Sequence, residues 1–199
     1  MTPSRWKGLV VGLLAVVALV VSSWLVVRYA VPNVVGSGEA YLEVRAVSTL
    51  RGMHWAEGTF RSGTYADADG DGVGEFGTLL QLAAKAPLPG GGLLPAALLP
   101  PRATSEKTGL LEKDGYCFRI VLPATPDESE RHFQALAWPG QAAGSGTRAF
   151  CLDQDETIRE APADAFIGCD KPPPDDACAP GSSWKRWRNK TSVNPVGAP

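Results

Sequence analysis

The sequence predicts an α+β protein: an N-terminal transmembrane helix, then an amphipathic helix packed on an antiparallel meander sheet of about four strands. Three observations support this fold class. An uncharged apolar run opens the chain, a segment with helical periodicity follows it, and short segments with strand-like alternation fill the second half. Sequential strands with short links form a meander, and one helix covering such a sheet gives an α+β domain.

The N-terminal run predicts a membrane anchor. Residues 8–28 carry no charge before Arg28 and are long enough to cross a hydrocarbon core as a helix. Arg5 and Lys7 precede the run, so the positive-inside rule places a stub of residues 1–7 in the cytoplasm. The alternatives are a cleaved signal peptide, whose apolar region spans only about 7–15 residues, and a buried core helix, which usually carries one polar face.

Composition divides the rest of the chain into three parts. Pro32 and the Gly36–Gly38 stretch predict a hinge over residues 29–38. Residues 39–170 are long enough to form one globular domain. Residues 171–199 are rich in proline and predict a disordered tail; the alternative is that its basic and aromatic side chains contact anionic lipid or a partner.

Apolar residues at steps of three and four predict a helix that begins near Ser37 or Gly38 and ends near Ser62. The residues expected to face the sheet are Ala40, Leu42, Val44, Val47, Leu50 and His54. Glu57 falls on another face and is expected to be solvated. His54 is expected to be a packed, hydrogen-bonded histidine, because no nucleophile or partner motif accompanies it.

A calcium loop is the one metal motif in the sequence. Asp67, Asp69 and Asp71 alternate ahead of Gly72, as in the first half of an EF-hand loop. Glu75, at the ninth position, would take the place of the carboxylate expected at the twelfth. These four acidic residues are the predicted ligands and calcium the predicted cofactor. The alternative is a solvated acidic turn without a metal.

The second half of the chain changes from helical to alternating periodicity. A short helix is predicted over residues 78–84, and residues 102–114 are expected to be exposed. Strands are predicted over residues 116–122, 132–138, 147–153 and 157–159.

Four cysteines, Cys117, Cys151, Cys169 and Cys178, lie beyond the apolar run. An even number outside the cytoplasm predicts disulfides, and the absence of a CxxC pair argues against zinc. The preferred pairing is Cys117–Cys151, between strands, with Cys169–Cys178 closing a local ring. Four cysteines allow two further pairings, which the sequence leaves open.

Several functional classes lack support in the sequence. The formal net charge of −2 provides no basic surface for nucleic acid. No nucleophile elbow, zinc-protease motif, P-loop or dinucleotide loop is present. The prediction is therefore a protein without enzymatic activity. A small enzyme on a membrane anchor, and a calcium-dependent adhesive or sensing module, are the alternatives.

The order of segments resembles type IV pilin-like and pseudopilin-like proteins of bacteria. The matching segments are Ala46–Arg51, Tyr65–Gly77, Gly115–Tyr116, Gly146–Gln154 and Ile158–Arg159. The last two are similar to a GTRxFxxDxxGxIR pattern at the end of the family's sheet.

The resemblance implies a pilin-like envelope protein of a type IV pilus or type II secretion-like system. It would cross the bacterial inner membrane once through residues 8–28, with a periplasmic or extracellular domain. Its partners would be the lipid bilayer and other pilin-like or secretion-system subunits, with no nucleic acid. Two positions depart from the family pattern: Leu13 stands where a glutamate is usual, and Glu156–Thr157 replaces a glycine near the last turn.

Overall fold

The computed structural model describes residues 16–24, 31–142 and 145–188. Residues 16–24 are helical. The predicted stub and most of the predicted anchor over residues 8–28 lie outside the described residues. Within the described ranges, no helix combines the length and hydropathy of a membrane span.

Two compact units divide the chain, Met1–Tyr41 and Leu42–Pro199. The long helix α1 spans Val31–Ser62 and crosses this boundary. Its end agrees with the prediction, but it begins several residues before Ser37, so residues 31–38 of the hinge predicted over residues 29–38 are helical. Pro32 is compatible with a helical start because the first-turn N–H groups have no intrahelical acceptor.

The buried face of α1 differs from the predicted one. Its buried residues are Glu43, Ala46, Val47, Leu50, Met53, Ala56, Glu57 and Phe60. Val44 is 44% exposed, and Glu57 is fully buried, so both predictions were wrong. The helix carries apolar residues on opposite sides, including Tyr41 and Trp55, which are exposed. Periodicity alone therefore allowed two apolar faces, and packing against the sheet selected the one that contains Leu50, Met53 and Phe60.

The sheet is an antiparallel meander in strand order β1-β2-β3-β4-β5-β6, with six strands in the described residues rather than about four. The strands are β1 Leu111–Lys113, β2 Tyr116–Val121, β3 Gln134–Pro139, β4 Arg148–Asp153, β5 Ile158–Pro162 and β6 Lys185–Arg186. The α+β class and the four inner strands are confirmed. The additional strands are the short edges β1 and β6, which are too short for alternation to reveal.

Short helical turns fill the connections. Helix α2, Leu79–Leu82, lies within the short helix predicted over residues 78–84. It begins with a capping box in which Thr78 and Gln81 exchange hydrogen bonds. A 3₁₀ turn covers Pro101–Ala103, and helix α3 covers Pro126–Ser129 between β2 and β3.

Side chains along the strands alternate between two apolar layers, as the period of two requires. The layer shared with α1 contains Tyr116, Phe118, Ala135, Ala137, Phe150 and Leu152. The opposite layer, here called the outer face, contains Cys117, Leu136, Trp138, Ala149 and Cys151.

Both disulfides lie on the outer face. Cys117 bonds Cys169 and Cys151 bonds Cys178, with Cα separations of 5.5 and 5.7 Å. The predicted pairing was wrong because β2 and β4 are not neighbours; both pair with β3. Two strand spacings amount to roughly 9–10 Å, beyond the Cα separation that a disulfide spans.

The segment after β5 covers the outer face, so the prediction of a disordered tail from residue 171 was wrong as far as β6. Ala177, Cys178 and Trp184 are buried against the sheet, and β6 pairs with β5. Residues 189–199 lie outside the described part.

Candidate functional site

The predicted calcium loop brings three aspartates together. Carboxylate oxygens of Asp67, Asp69 and Asp71 lie within 4.8 Å of one another. The loop folds around the first carboxylate, which accepts hydrogen bonds from the N–H groups of Gly70 and Gly72 at 2.8 and 3.1 Å. Both glycines have positive φ, of 78° and 87°, which explains why glycine is suited to these turns.

Glu75, the fourth predicted ligand, has a different environment. It is 4% exposed, and its Oε1 accepts a hydrogen bond from Ala68 N–H at 2.7 Å. Its own N–H donates to the Ala66 carbonyl at 3.0 Å, so it fastens the base of the loop. In the described residues no group of three mutually close acidic side chains includes Glu75.

Two further carboxylates approach the loop from helix α3 and the residue after it. Oxygens of Asp127 and Glu130 lie within 4.8 Å of Asp69 and of each other. Phe76 holds this part of the chain in place: its N–H donates to Ser129 O at 2.9 Å, and its ring lies 4.6 Å from that of Phe133. Sequence reasoning missed this approach because Asp127 and Glu130 lie between two predicted strands, far from the loop in sequence.

Glu130 is the least exposed of the five carboxylates in these two close groups. It is 9% exposed, and its Oε1 is buried without a hydrogen-bond partner. Burial, followed by repulsion from Asp71, Asp69 and Asp127, raises its pKa above the ordinary value.

A separate charged network fastens α1 to β4. Glu43, 5% exposed, accepts hydrogen bonds from Thr147 N–H at 3.0 Å and Thr147 Oγ1 at 3.1 Å. Arg148 donates to Glu43 through Nε at 2.9 Å and through Nη2, and it also pairs with Glu160. The hydrogen bond with Glu43 raises the pKa of Arg148 above its ordinary value.

The network explains three residues of the Gly-Thr-Arg pattern. A Cβ added to Gly146 would lie 2.1 Å from Tyr116 Oη and 2.4 Å from Glu43 Cγ, so no larger residue fits without a shift. Thr147 and Arg148 supply the donors that neutralise the buried Glu43. Each residue of this pattern therefore has a role in attaching the helix to the sheet.

Two other titratable groups of α1 have structural partners. His54 lies with Nε2 3.0 Å from the Gln154 carbonyl oxygen and its ring 5.8 Å from Phe133, which confirms a packed, hydrogen-bonded histidine. It lines a cleft of about 450 Å³ with Arg61 and Gln154. Burial raises the pKa of Glu57 to about 8, while Glu57 Oε2 accepts a hydrogen bond from Gly77 N–H at 2.8 Å.

Comparison with known proteins adds no family assignment. No family model, no curated protein and no solved structure matches the chain.

Proposed function

We propose that the chain is a pilin-like envelope protein without enzymatic activity, anchored in the bacterial inner membrane through residues 8–28. It would serve as a structural or interaction component of a type IV pilus or type II secretion-like system. One observation carries the proposal: the Gly-Thr-Arg segment, residues 146–148, fastens α1 to the sheet through Glu43. The residues that carry the resemblance are thus also the ones that build the helix-on-sheet architecture.

The remainder of the pattern supports the same reading. Asp153 Oδ1 accepts hydrogen bonds from the N–H groups of Asp155 and Thr157 at 3.1 and 2.9 Å and so shapes the β4–β5 turn. The Asp153 carboxylate therefore stabilises the backbone of the turn and does not face a substrate. A pattern whose polar residues serve the architecture suits a protein that assembles with others.

The disulfides and the apolar run agree on the location of the domain. Two disulfides are typical of proteins that fold in an oxidising compartment. The basic residues before the apolar run favour a cytoplasmic N-terminus. A single span with this orientation puts the disulfide-bonded domain outside the cytoplasm, where it would meet other envelope subunits.

The test is the intact mass of the protein extracted from native membranes. A mass that begins at Met1 or Thr2 supports a retained anchor. Loss of residues 1–8 with a methylated new N-terminus would instead support processing by a prepilin peptidase and assembly into filaments. A mass that begins after residue 28 would overturn the anchor.

A matched pair of substitutions makes the membrane prediction sharper. Val17→Arg places a charge within the apolar run, and it is expected to reduce the fraction that stays with membranes after alkaline carbonate extraction. Ser48→Arg places the same charge at an exposed position of α1 and is expected to leave retention unchanged. Equal retention of both variants and the wild type would contradict insertion of the run.

A calcium-dependent adhesive or sensing module is the second candidate. The observation that favours it is the approach of Asp127 and Glu130 to Asp69, which adds carboxylates to the loop from a distant part of the chain. This candidate is compatible with the anchor, because the loop and the apolar run are separate parts of the sequence.

A further inference from the structure

Two close groups of carboxylates meet at Asp69, one from the acidic loop and the other from helix α3 and the residue after it. Asp69 belongs to both close groups, one with Asp67 and Asp71 and the other with Asp127 and Glu130. The first group comes from consecutive turns of a single loop. The second requires the chain between β2 and β3 to return to that loop, so the meeting of the two groups is a property of the tertiary structure.

Backbone N–H groups donate hydrogen bonds to the carboxylates of Asp67, Asp69 and Asp71, and these bonds leave their negative charge in place. In the described residues none of the five carboxylates takes part in an ion pair. Arg131 favours the charged form of Glu130 but directs its Nε to the backbone carbonyl of Asp127 at 2.9 Å. Several like charges within 4.8 Å repel one another strongly unless a cation lies among them.

An independent observation comes from Glu130. The residue is more than nine-tenths buried, and one of its oxygens, Oε1, has no hydrogen-bond donor. A buried carboxylate oxygen without a donor is costly, and such a group normally has a partner. Because an oxygen of the same carboxylate lies within 4.8 Å of Asp69 and Asp127, a cation at this point would supply that partner.

We infer that Asp67, Asp69, Asp71, Asp127 and Glu130 form a calcium site that links the loop after α1 to helix α3. Glu75, which the sequence predicted as a ligand, instead accepts a hydrogen bond from Ala68 N–H at the base of the loop. Glu130 takes its place among the ligands. The inference rests on the second candidate function and is independent of the membrane anchor.

The chemistry of the donors favours calcium over other common metals. All of them are carboxylate oxygens, whereas zinc prefers nitrogen and sulfur ligands. Calcium accepts six to eight oxygens in irregular geometry, and the exposed aspartates leave room for water to complete the shell. Magnesium demands a nearly octahedral shell and retains its water, so it should bind more weakly here.

The test measures calcium binding to the full chain in detergent by isothermal titration calorimetry after removal of divalent ions. Binding with a dissociation constant of about 10⁻⁵–10⁻³ M, and weaker binding of magnesium, is expected. No heat and no shift in thermal midpoint up to about 5 mM calcium, above that range, would overturn the inference.

Variants distinguish the two ligand sets. Glu130→Gln and Asp127→Asn are each expected to weaken calcium binding by at least about tenfold, because affinity follows the number of charged ligands. Glu75→Gln is expected to keep a constant close to that of the wild type. The control Glu128→Gln removes an exposed charge from the same helix and should change nothing. Unchanged binding by both the Asp127 and Glu130 variants would contradict the proposed ligands.

A stability measurement shows whether Glu130 acts as a ligand or only as packing. Without calcium, Glu130→Gln should unfold at a higher temperature than the wild type, because one repelling charge is gone. With saturating calcium the order should reverse. A variant less stable than the wild type under both conditions would indicate a structural role only. Loss of calcium binding with an intact membrane anchor would leave the envelope function standing.

Discussion

The two faces of the sheet are closed by different means. Helix α1 covers one face with a continuous set of apolar side chains, and its two buried glutamates, Glu43 and Glu57, each have backbone or arginine partners. The outer face is covered by an irregular segment that includes Ala177 and Trp184 and is bonded to the sheet by two disulfides.

The difference shows what each kind of cover requires. A helix satisfies its own backbone hydrogen bonds and presents a face of apolar side chains, so burial of that face is enough to hold it. A segment without regular structure loses more conformational entropy for each apolar residue it buries. Covalent links reduce that entropy in the unfolded chain, and we expect the outer face to depend on them more than the helix face does.

The largest expected effect comes from the outer face. Removing the first disulfide with Cys117→Ala and Cys169→Ala should lower the free energy of unfolding by about 4 kcal/mol, from loop-closure entropy alone. Removing the second with Cys151→Ala and Cys178→Ala should lower it by about 3.5 kcal/mol. Urea unfolding measures both losses. The first pair closes the longer loop, with a sequence separation of 52 against 27. A loss below about 1 kcal/mol for both pairs would show that apolar packing alone holds the segment.

Arg148→Met tests the charged attachment of the helix face. The variant removes the arginine donors of Glu43 and leaves this buried carboxylate with the donors of Thr147. The free energy of unfolding should fall by about 3 kcal/mol, the lower end of the range for breaking a buried ion pair. Arg51→Met breaks an exposed pair with Glu156 at 3.6 Å and should cost about 0.5 kcal/mol or less. The double variant Glu43→Gln with Arg148→Met should recover part of the loss; a larger loss would contradict the attachment.

Glu57→Gln tests the second buried glutamate through its pH dependence. Because burial raises the pKa of Glu57 to about 8, the folded protein holds a proton that the unfolded chain releases from about pH 4.5 upward. Wild-type stability should therefore fall as pH rises from 4.5 to 8. The loss from this group is at most about 1.4 kcal/mol per pH unit and stops above its folded pKa.

The Glu57→Gln variant should lack this contribution. Its free energy of unfolding should therefore rise relative to that of the wild type as pH increases over that interval. Denaturant titrations at several pH values measure it. A constant difference would mean that Glu57 titrates in the folded protein as it does in the unfolded chain.

The smallest effect concerns the β4–β5 turn, where the sequence departs from the family pattern. Glu156 has φ of 58°, in the left-handed region that favours glycine. Glu156→Gly should raise the free energy of unfolding by about 0.5–1 kcal/mol, measured by thermal unfolding. Glu156→Ala is the control, since it removes the pair with Arg51 but keeps the strained conformation. If Glu156→Gly and Glu156→Ala raise the free energy of unfolding equally, the effect comes from loss of the Glu156 charge and not from relief of the backbone conformation.

Sequence patterns predicted the regular elements well and the contacts between them poorly. Alternation identified the four inner strands, and the sequence also predicted the short helix after Thr78. The disulfide pairing was wrong because it depends on which strands are neighbours. The buried state of Glu57 was missed because periodicity leaves the rotation of a helix against its sheet undetermined.

The candidate site shows the same division. Alternating aspartates ahead of Gly72 made the loop visible in the sequence, because its geometry is local. The approach of Asp127 and Glu130 depends on the connection between β2 and β3, and no spacing in the sequence encodes it.

The sequence by itself determined the α+β class, the meander order of its main strands and the position of the acidic loop. These follow from periodicity, turn residues and short connections, which act between near neighbours in the chain. Tertiary structure alone decided the face of α1 that is buried, the partner of each cysteine and the carboxylates that surround Asp69. These depend on distances between residues far apart in sequence, which are fixed only when the helix and the C-terminal segment pack on opposite faces of the sheet.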